Sequence, residues 1–389
     1  MSDRSFAHVR YPWCAAVDVA SPHPRRYYAR LIGQALRYGM PARRRFGPAL
    51  TIAALFDVPN RLLHPLVLAA PRRPSPEADR VSAAVRDAWP ALSERSPRLH
   101  GIPAPTSVLA IQRSAGLTVF LFGSGPEPLC VAKVGGTGVA AEVLALRDAE
   151  GTGVAPRHLG RAGPAEVQEA VAGAPLKLVP LLAAAAGRLQ APRELQDVGA
   201  AFLRVAATTA TTAKPVTPVV RADAIARAAA HDGLSHRTRS LVAAAHRDVG
   251  NLPHSVLSHY DASPQNLMCA GGRLTGIIDW ELAEPRGMPG WDVWIAGLSY
   301  LEHRVGLARF SQAVIRQAFR RAWATSRLFG WSRACGREAA RAAGVPDAHL
   351  DSLEVAFYAA RLGHRLSKPA SWATDAATAS AMLETVVRP

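Results

Sequence analysis

Two aspartates and one asparagine are the residues whose types and spacing could carry out chemistry together. Asp261 and Asn266 precede an apolar run at 267–269, and Asp279 follows a second run at 273–278. A Gly-containing turn between the runs predicts a β-hairpin, which brings Asn266 and Asp279 close although they are 13 positions apart. Paired oxygen ligands suit Mg²⁺, which also binds nucleotide phosphates. The Asp261 carboxylate could then accept the proton of a substrate hydroxyl.

This block resembles the catalytic and metal-binding loops of the aminoglycoside phosphotransferase and choline kinase group, relatives of the protein kinases. The group's pattern is H-x-D-x-x-x-x-N, then a hydrophobic strand ending in D-[FW]-E. It stands here as His259-Tyr260-Asp261, then Asn266, then Asp279-Trp280-Glu281. The resemblance implies that Asp261 is the catalytic residue and that Asn266 and Asp279 bind Mg²⁺. The group usually has glycine or another small or polar residue at Tyr260, so this tyrosine could alter access of the acceptor.

A lysine on an apolar strand gives independent support for a nucleotide site. Lys133 lies in the run 131–134, and Glu142 follows nine positions later at the start of a predicted helix. Taken alone, such a lysine is more typical of an edge strand that faces solvent. Joined to the downstream block, the resemblance implies that Lys133, oriented by Glu142, binds the nucleotide phosphates. Backbone groups from Gln168 to Val171, in a segment similar to the group's interlobe strand, are expected to contact the adenine.

The order of the predicted elements places these residues in a mixed fold. Strands are predicted at 107–112, 117–122 and 128–134, and helices at 141–148, through most of 177–250 and from 293 to 387. This order predicts an α+β chain with a small sheet-rich lobe followed by a larger helical lobe. The resemblance implies that these form a bilobal protein-kinase-like fold, with a small antiparallel-sheet N-lobe and a larger helical C-lobe. An extra N-terminal region precedes the two lobes.

Three regions follow from this organisation. Residues 1–104 form an Arg-rich region of unknown role, 105–172 the N-lobe that binds nucleotide phosphates, and 173–389 the helical C-lobe with the catalytic and Mg²⁺-binding loops. The first boundary rests on a turn-rich stretch at 96–105. The first region could be a small helical domain, an extension of the substrate lobe or a partner-binding arm.

The chain is strongly basic, with a net charge of +16, and 42 of its 46 basic residues are arginine. Residues 1–100 carry +9 of this charge, with clusters at 25–26, 43–45 and 72–73. A GC-rich genome and a selected anionic partner explain this composition equally well. No recognised DNA- or RNA-binding motif accompanies the clusters, so nucleic acid is not an expected partner.

Targeting and cysteine signals favour the cytoplasm. No apolar run reaches the roughly 18 residues of a membrane span, and the N-terminus lacks the apolar core of a secretory signal. The four cysteines are far apart and form no C-x-x-C pair, which argues against a zinc knuckle or a disulfide framework.

These observations predict an ATP-dependent (or GTP-dependent) phosphotransferase that uses Mg²⁺. It would move the γ-phosphoryl group to a hydroxyl of a small molecule such as an aminoglycoside-like antibiotic, a sugar or an amino alcohol. A polycationic acceptor would need local carboxylates such as Glu281 and Glu284 in so basic a chain. The alternative is a non-catalytic kinase-like binding or scaffold protein whose Arg-rich N-terminus contacts an anionic partner. The acceptor, the nucleotide and the oligomeric state are left open.

Overall fold

A computed structural model describes residues 15–17, 27, 76–113, 116–177, 189–212, 219–307, 312–368 and 373–388. The chain divides into two compact units. Unit one comprises Met1–Glu150 and Ala155–Gly173, and unit two comprises Gly151–Val154 and Ala174–Pro389. The arginine clusters at 25–26, 43–45 and 72–73 lie outside the described residues. Within the described part, no helix has both the length and the apolar character needed to cross a membrane.

The described part of unit one contains a six-stranded antiparallel sheet. Its strands are β1 (Ala15–Val17), β2 (Ser107–Arg113), β3 (Gly116–Phe122), β4 (Pro128–Val134), β5 (His158–Ala162) and β6 (Ala165–Glu169). They lie in the order β1-β2-β3-β4-β6-β5. The three strands predicted from apolar runs, β2 to β4, are confirmed. β5 was not predicted, because Gly160 and Arg161 interrupt its apolar pattern.

One helix of unit one, α1 (Pro76–Glu94), packs its apolar face on this sheet. The core they share contains residues of α1, of the turn after it and of β2 to β6: Ala78, Val81, Val85, Trp89, Leu92, Leu99, Ala110, Leu117, Val119, Leu121, Cys130, Ala132, Leu159, Ala162, Ala165 and Val167. The Trp89 indole N–H also donates a 2.8 Å hydrogen bond to the carbonyl of Ile102. Residues 76–102, which fall in the predicted N-terminal region, therefore contribute to the hydrophobic core of unit one.

A two-glycine turn joins β4 to the second helix, α2 (Thr137–Asp148). Gly135 and Gly136 have φ values of 78° and 83°, in the left-handed region that residues with a Cβ rarely adopt. The chain thus reverses within two residues and starts α2 immediately beside the end of β4. This sharp turn brings the first turns of α2 close to the strand that carries Lys133.

Unit two is mainly helical among its described residues. Its helices are α3 (Arg193–Thr209), α4 (Val219–Ala229), α5 (His236–Gly250), α6 (Trp291–Leu307), α7 (Gln312–Thr325), α8 (Arg327–Ala342), α9 (Leu350–Leu366) and α10 (Ala373–Val386). In α3 the buried residues Leu195, Val198, Phe202 and Val205 recur at helical spacing on one face. The described parts of both predicted helical regions are thus mostly helical, and each region contains several separate helices.

Two small sheets in unit two frame the loop that carries Asp261. One has the strand order β10-β9-β7, from β7 (Ala174–Pro175), β9 (Leu267–Ala270) and β10 (Arg273–Ile277). The other pairs β8 (Val256–Ser258) with β11 (Glu284–Gly287). The predicted hairpin at 267–278 is confirmed as β9 and β10. β11 was not predicted, since its four residues include a proline, an arginine and a glycine.

Candidate active site

The β9–β10 hairpin determines where Asn266 and Asp279 lie. Its register pairs Leu267 with Ile277, so the residues just outside the pair come together at the open end. There the backbone N–H of Ile278 donates a 2.9 Å hydrogen bond to the carbonyl of Asn266. Asn266 and Asp279 consequently lie on neighbouring strand ends, as the spacing of the apolar runs predicts.

Asn266 is also bound to Asp261. Its side-chain amide donates to the Asp261 backbone carbonyl at 2.9 Å and to the Asp261 carboxylate Oδ2 at 3.0 Å. Because the amide nitrogen is used in this way, the amide oxygen Oδ1 is the atom of Asn266 suited to a metal ion. The structure therefore brings the three predicted residues of the downstream block into one cluster.

The Asp261 carboxyl has a strongly shifted proton affinity. Burial raises its pKa to about 6, and the nearby carboxylates of Asp279 and Glu281 add to the increase. The hydrogen bond from Asn266 opposes the shift without cancelling it. A carboxylate with a raised pKa is a better proton acceptor than an ordinary aspartate, which suits a group that takes the proton of a hydroxyl.

Strained backbone marks both ends of this cluster. Among the described residues other than glycine, Tyr260 and Asp279 have positive φ values, 64° and 67°. Aspartate tolerates the left-handed region better than most residues, whereas a tyrosine there is a clear outlier. Such strain persists only when the surrounding contacts hold the residue in place, and it concentrates at functional sites.

Asp292 and His259 hold the strained loop. The buried Asp292 carboxylate accepts hydrogen bonds from the backbone N–H groups of His259 at 2.9 Å and Tyr260 at 2.8 Å. The His259 ring accepts at Nδ1 from the Asp261 backbone N–H, so its Nε2 carries the proton and donates to the Ile278 carbonyl at 2.9 Å. His259 thereby links the loop of Asp261 to the strand end that precedes Asp279.

The Tyr260 side chain adds a contact that the sequence did not indicate. Its hydroxyl accepts a 3.0 Å hydrogen bond from the Met288 backbone N–H, and its ring packs edge-on against Trp291 at 5.1 Å. The backbone of Gly287 lies close to this hydroxyl, since a Cβ on Gly287 would lie 3.1 Å from the Tyr260 hydroxyl and 2.3 Å from the Ser258 side chain. Tyr260 is thus an internal anchor of the loop.

In unit one, Lys133 and Glu142 form the predicted pair. The Lys133 Nζ lies 2.7 Å from Oε1 and 2.6 Å from Oε2 of Glu142. Lys133 is 9% exposed and Glu142 is 2% exposed. Lys133 pairs with Thr118 on one side and Glu166 on the other, so it lies on an interior strand and not on an edge strand.

The predicted adenine-contacting segment lies at the end of β6. Gln168 is buried within the sheet, with register partners Val131 and His158 on the two neighbouring strands. Val171 follows two residues after β6 ends and is half-buried. The contact of this segment with a nucleotide remains a prediction.

The donor set near Asp261 suits Mg²⁺. One carboxylate and one amide oxygen, from Asp279 and Asn266, are hard ligands, and Mg²⁺ commonly binds one or two such groups together with water and phosphate oxygens. Across the described residues, no group of three or more His, Cys, Asp or Glu side chains could hold a metal ion.

Comparison with known proteins identifies the family. A model described as a phosphotransferase enzyme family matches residues 131–336, which is more than half of the chain. No curated protein matches significantly.

Three solved structures illustrate the structural similarity. A thermostable mutant of aminoglycoside phosphotransferase APH(4)-Ia shares 18% identity over 73% of this chain and 94% of its own, with a TM-score of 0.40. Choline kinase from Cryptosporidium parvum Iowa II shares 10% over 79% and 93%, with a TM-score of 0.41. Macrolide 2'-phosphotransferase MphH from Brachybacterium faecium shares 19% over 72% and 89%, with a TM-score of 0.33.

The chain belongs to the phosphotransferase enzyme family. It is a small-molecule phosphotransferase that acts on hydroxyl groups and has the α+β, protein-kinase-like fold of that family. The predicted family, fold and enzyme class are confirmed. This assignment does not support the alternative of a non-catalytic scaffold protein.

Two groups of contacts were not predicted from the sequence. One is the Tyr260–Met288–Trp291 anchor, for which a bulky residue in the middle of H-x-D was the available signal. The other is a set of hydrogen bonds from Ser96 and Arg98 to the end of β6. The sequence marked that turn only as a region boundary.

Proposed function

We propose that this enzyme transfers the γ-phosphoryl group of ATP or GTP, with Mg²⁺, to a hydroxyl of a small molecule. Asp261 accepts the proton of that hydroxyl, and Asn266 and Asp279 bind Mg²⁺. Lys133, oriented by Glu142, binds the nucleotide phosphates, and the backbone from Gln168 to Val171 binds the base. In this proposal residues 105–172 serve the nucleotide, and residues 173–389 carry the catalytic and Mg²⁺-binding loops.

The observation that carries the proposal is the hydrogen-bonded cluster of Asp261 and Asn266 beside the strand end of Asp279. Phosphoryl transfer depends mainly on positioning and on neutralising charge, and both need groups that are fixed before the substrates bind. Bound Mg²⁺ would neutralise charge on the phosphate oxygens. The Asn266 amide meanwhile fixes the direction in which the Asp261 carboxylate points.

The buried Lys133–Glu142 ion pair supports the nucleotide role independently. Burying both charges costs desolvation energy, and a hydrophobic pair of similar size would avoid that cost. The presence of this pair on an interior strand is therefore better explained by function than by stability. Glu142 binds Lys133 through both carboxylate oxygens and so holds the ammonium in one position.

For the acceptor we propose an aminoglycoside-like antibiotic, a sugar or an amino alcohol. The carboxylates of Asp279 and Glu281 lie close enough to raise the pKa of Asp261. This local negative potential is compatible with an acceptor that carries an amine, although the whole chain is basic. Hygromycin B, choline and glucose serve as probes of the three classes.

A two-stage measurement tests the proposal. In a thermal-shift assay, ATP, GTP and ADP are each added with and without Mg²⁺. Nucleotide binding should raise the melting temperature of the wild type. Asp279→Ala should lose the Mg²⁺-dependent part of that rise. Release of ADP with each acceptor probe then reports transfer, and Asp261→Asn should lower kcat by about 10²–10⁴-fold. Full turnover by Asp261→Asn would refute the role of Asp261, and no nucleotide-induced shift would refute the nucleotide site.

A further inference from the structure

The turn after α1 is tied by hydrogen bonds to the segment that ends unit one. We call residues 96–99 the α1 turn and residues 169–173 the linker. The Ser96 hydroxyl donates a hydrogen bond to the Glu169 carboxylate, and the Arg98 guanidinium donates to the Ala170 carbonyl at 2.5 Å. Residues more than 70 positions apart thereby meet at the end of β6.

Ser96 connects the two segments. Its side chain is completely buried, and its hydroxyl oxygen also accepts from the backbone N–H groups of Arg98 at 3.2 Å and Leu99 at 3.3 Å. Leu99, also completely buried, fixes the turn in the core of unit one. A single hydroxyl therefore orders the turn that carries Arg98 and holds the side chain of Glu169.

Arg98 binds the chain just beyond the point where the pairing of β4 with β6 ends. The pairing of β4 with β6 ends at Cys130 and Glu169. One residue later, the Ala170 N–H donates to the Leu129 carbonyl at 3.1 Å, and the Ala170 carbonyl accepts from Arg98. Arg98 thus takes the position that a neighbouring strand would have on that carbonyl.

The orientation of Ala170 determines that of its neighbours. In extended chain the N–H and C=O of one residue point to the same side, and those of the next residue point to the opposite side. The N–H of Glu169 bonds to the Arg157 carbonyl at 2.9 Å, away from the side that Ala170 uses. A chain that stays extended through Ala170, held there by Arg98, would present the Glu169 carbonyl and the Val171 N–H on the same side, as an acceptor and a donor.

We propose that Arg98 and Ser96 are positioning residues for recognition of the nucleotide base. They hold the linker so that the Glu169 carbonyl and the Val171 N–H can form paired hydrogen bonds to the amino edge of adenine. This inference rests on the proposed function, because it assigns these groups to the nucleotide of that reaction. It also gives part of the predicted N-terminal region a role in the enzyme.

Three ligands separate base recognition from phosphate binding. Adenosine contains only the base and sugar, Mg²⁺–tripolyphosphate contains only the phosphates, and Mg²⁺–ATP contains both. Dissociation constants would be measured by calorimetry for the wild type, Arg98→Gln and Lys133→Ala. Arg86→Gln is the matched control, since Arg86 is an exposed arginine of α1 and its replacement removes the same charge.

Arg98→Gln should weaken adenosine and ATP by about 3- to 10-fold and leave tripolyphosphate within about twofold, as expected for loss of one charge-assisted hydrogen bond. Lys133→Ala should do the reverse, weakening tripolyphosphate and ATP but not adenosine. Arg86→Gln should leave all three ligands unchanged. Arg98→Lys, which keeps a charged donor, should restore part of the affinity for adenosine.

Ser96→Ala provides a second variant that keeps the charge of Arg98 and should give the same adenosine-selective loss. Equal weakening of all three ligands by Arg98→Gln, or no weakening of any, would overturn the inference. The result for Lys133→Ala tests the proposed function separately and could still support it. Absence of nucleotide binding by the wild type would overturn both. Unfolding curves of each variant set a temperature at which every protein is folded.

Discussion

At the residue scale, Asp261 combines its proposed catalytic role with a cost in stability. Burial is the main reason that its pKa rises to about 6, and the carboxylates of Asp279 and Glu281 contribute. Between about pH 4 and pH 6 the native state therefore binds more protons at Asp261 than the unfolded chain does, and stability falls as pH rises through this window. At pH 8 the ionised carboxylate remains a net cost.

Asp261→Asn should raise the free energy of unfolding at pH 8 by about 1–3 kcal/mol in metal-free protein, and the gain should vanish near pH 4. The neutral amide avoids the buried charge and can still accept the hydrogen bond from Asn266. Urea unfolding at both pH values measures the difference. The control is Asp87→Asn, an exposed carboxylate of α1, with a change within about 0.5 kcal/mol. An Asp261→Asn variant no more stable than the wild type at pH 8 would contradict the argument.

Tyr260 carries a different cost, because its φ of 64° places a side chain where glycine is preferred. Tyr260→Ala and Tyr260→Gly both remove the contact with Trp291 and the hydrogen bond from Met288. Glycine also relieves the backbone strain, so Tyr260→Gly should be more stable than Tyr260→Ala by about 1 kcal/mol. Chemical denaturation of the two variants gives the comparison directly. An alanine variant as stable as the glycine variant would show that the backbone is not strained at this position.

At the scale of elements, α9 approaches α4 unusually closely at one residue. A Cβ on Gly363 would lie 1.7 Å from the backbone carbonyl oxygen of Ala224, which cannot move away as a flexible side chain could. The crossing of these two helices therefore depends on the missing side chain. At this point in unit two, the backbone of α9 packs directly against the backbone of α4.

Gly363→Ala should accordingly lower the free energy of unfolding by about 1–3 kcal/mol or more through overpacking, although alanine favours helix more than glycine does. Gly330 in α8 is the matched control, because nothing lies within 4 Å of a Cβ placed there. Gly330→Ala should instead stabilise the protein by up to about 1 kcal/mol. Thermal or urea unfolding of both variants measures the contrast, and the same sign of change for both would refute the close-approach argument.

Local patterns predicted the elements that hold the site more fully than the contacts that fix it. Alternating apolar runs and a glycine turn were enough to predict the hairpin beside Asn266 and Asp279, because strand pairing follows from sequence neighbours. The bonds from Ser96 and Arg98 to the linker join residues more than 70 positions apart, and no local periodicity reports such a contact. β5 and β11 escaped prediction for a related reason, since their pairing partners and not their own composition make them strands.

At the scale of the whole molecule, the net charge of +16 would assist the proposed function by attracting the nucleotide. Lys133 is paired with Glu142, so the charges at that point nearly cancel before a nucleotide binds. Attraction of the anionic phosphates must then come largely from the summed field of the other basic residues. A GC-rich genome explains the number of arginines equally well, and in that case their positions need not favour the nucleotide.

Salt dependence separates these two explanations. Exposed charges are screened over about 10 Å at 0.1 M salt and about 3 Å at 1 M. Raising NaCl from about 50 to about 500 mM should therefore weaken Mg²⁺–ATP binding by about 3- to 10-fold, while neutral adenosine changes by less than about twofold. Titration calorimetry with the same protein preparation compares the two ligands. Equal salt sensitivity of ATP and adenosine would mean that the basic composition does not serve nucleotide capture, and the genomic explanation would then account for the arginines.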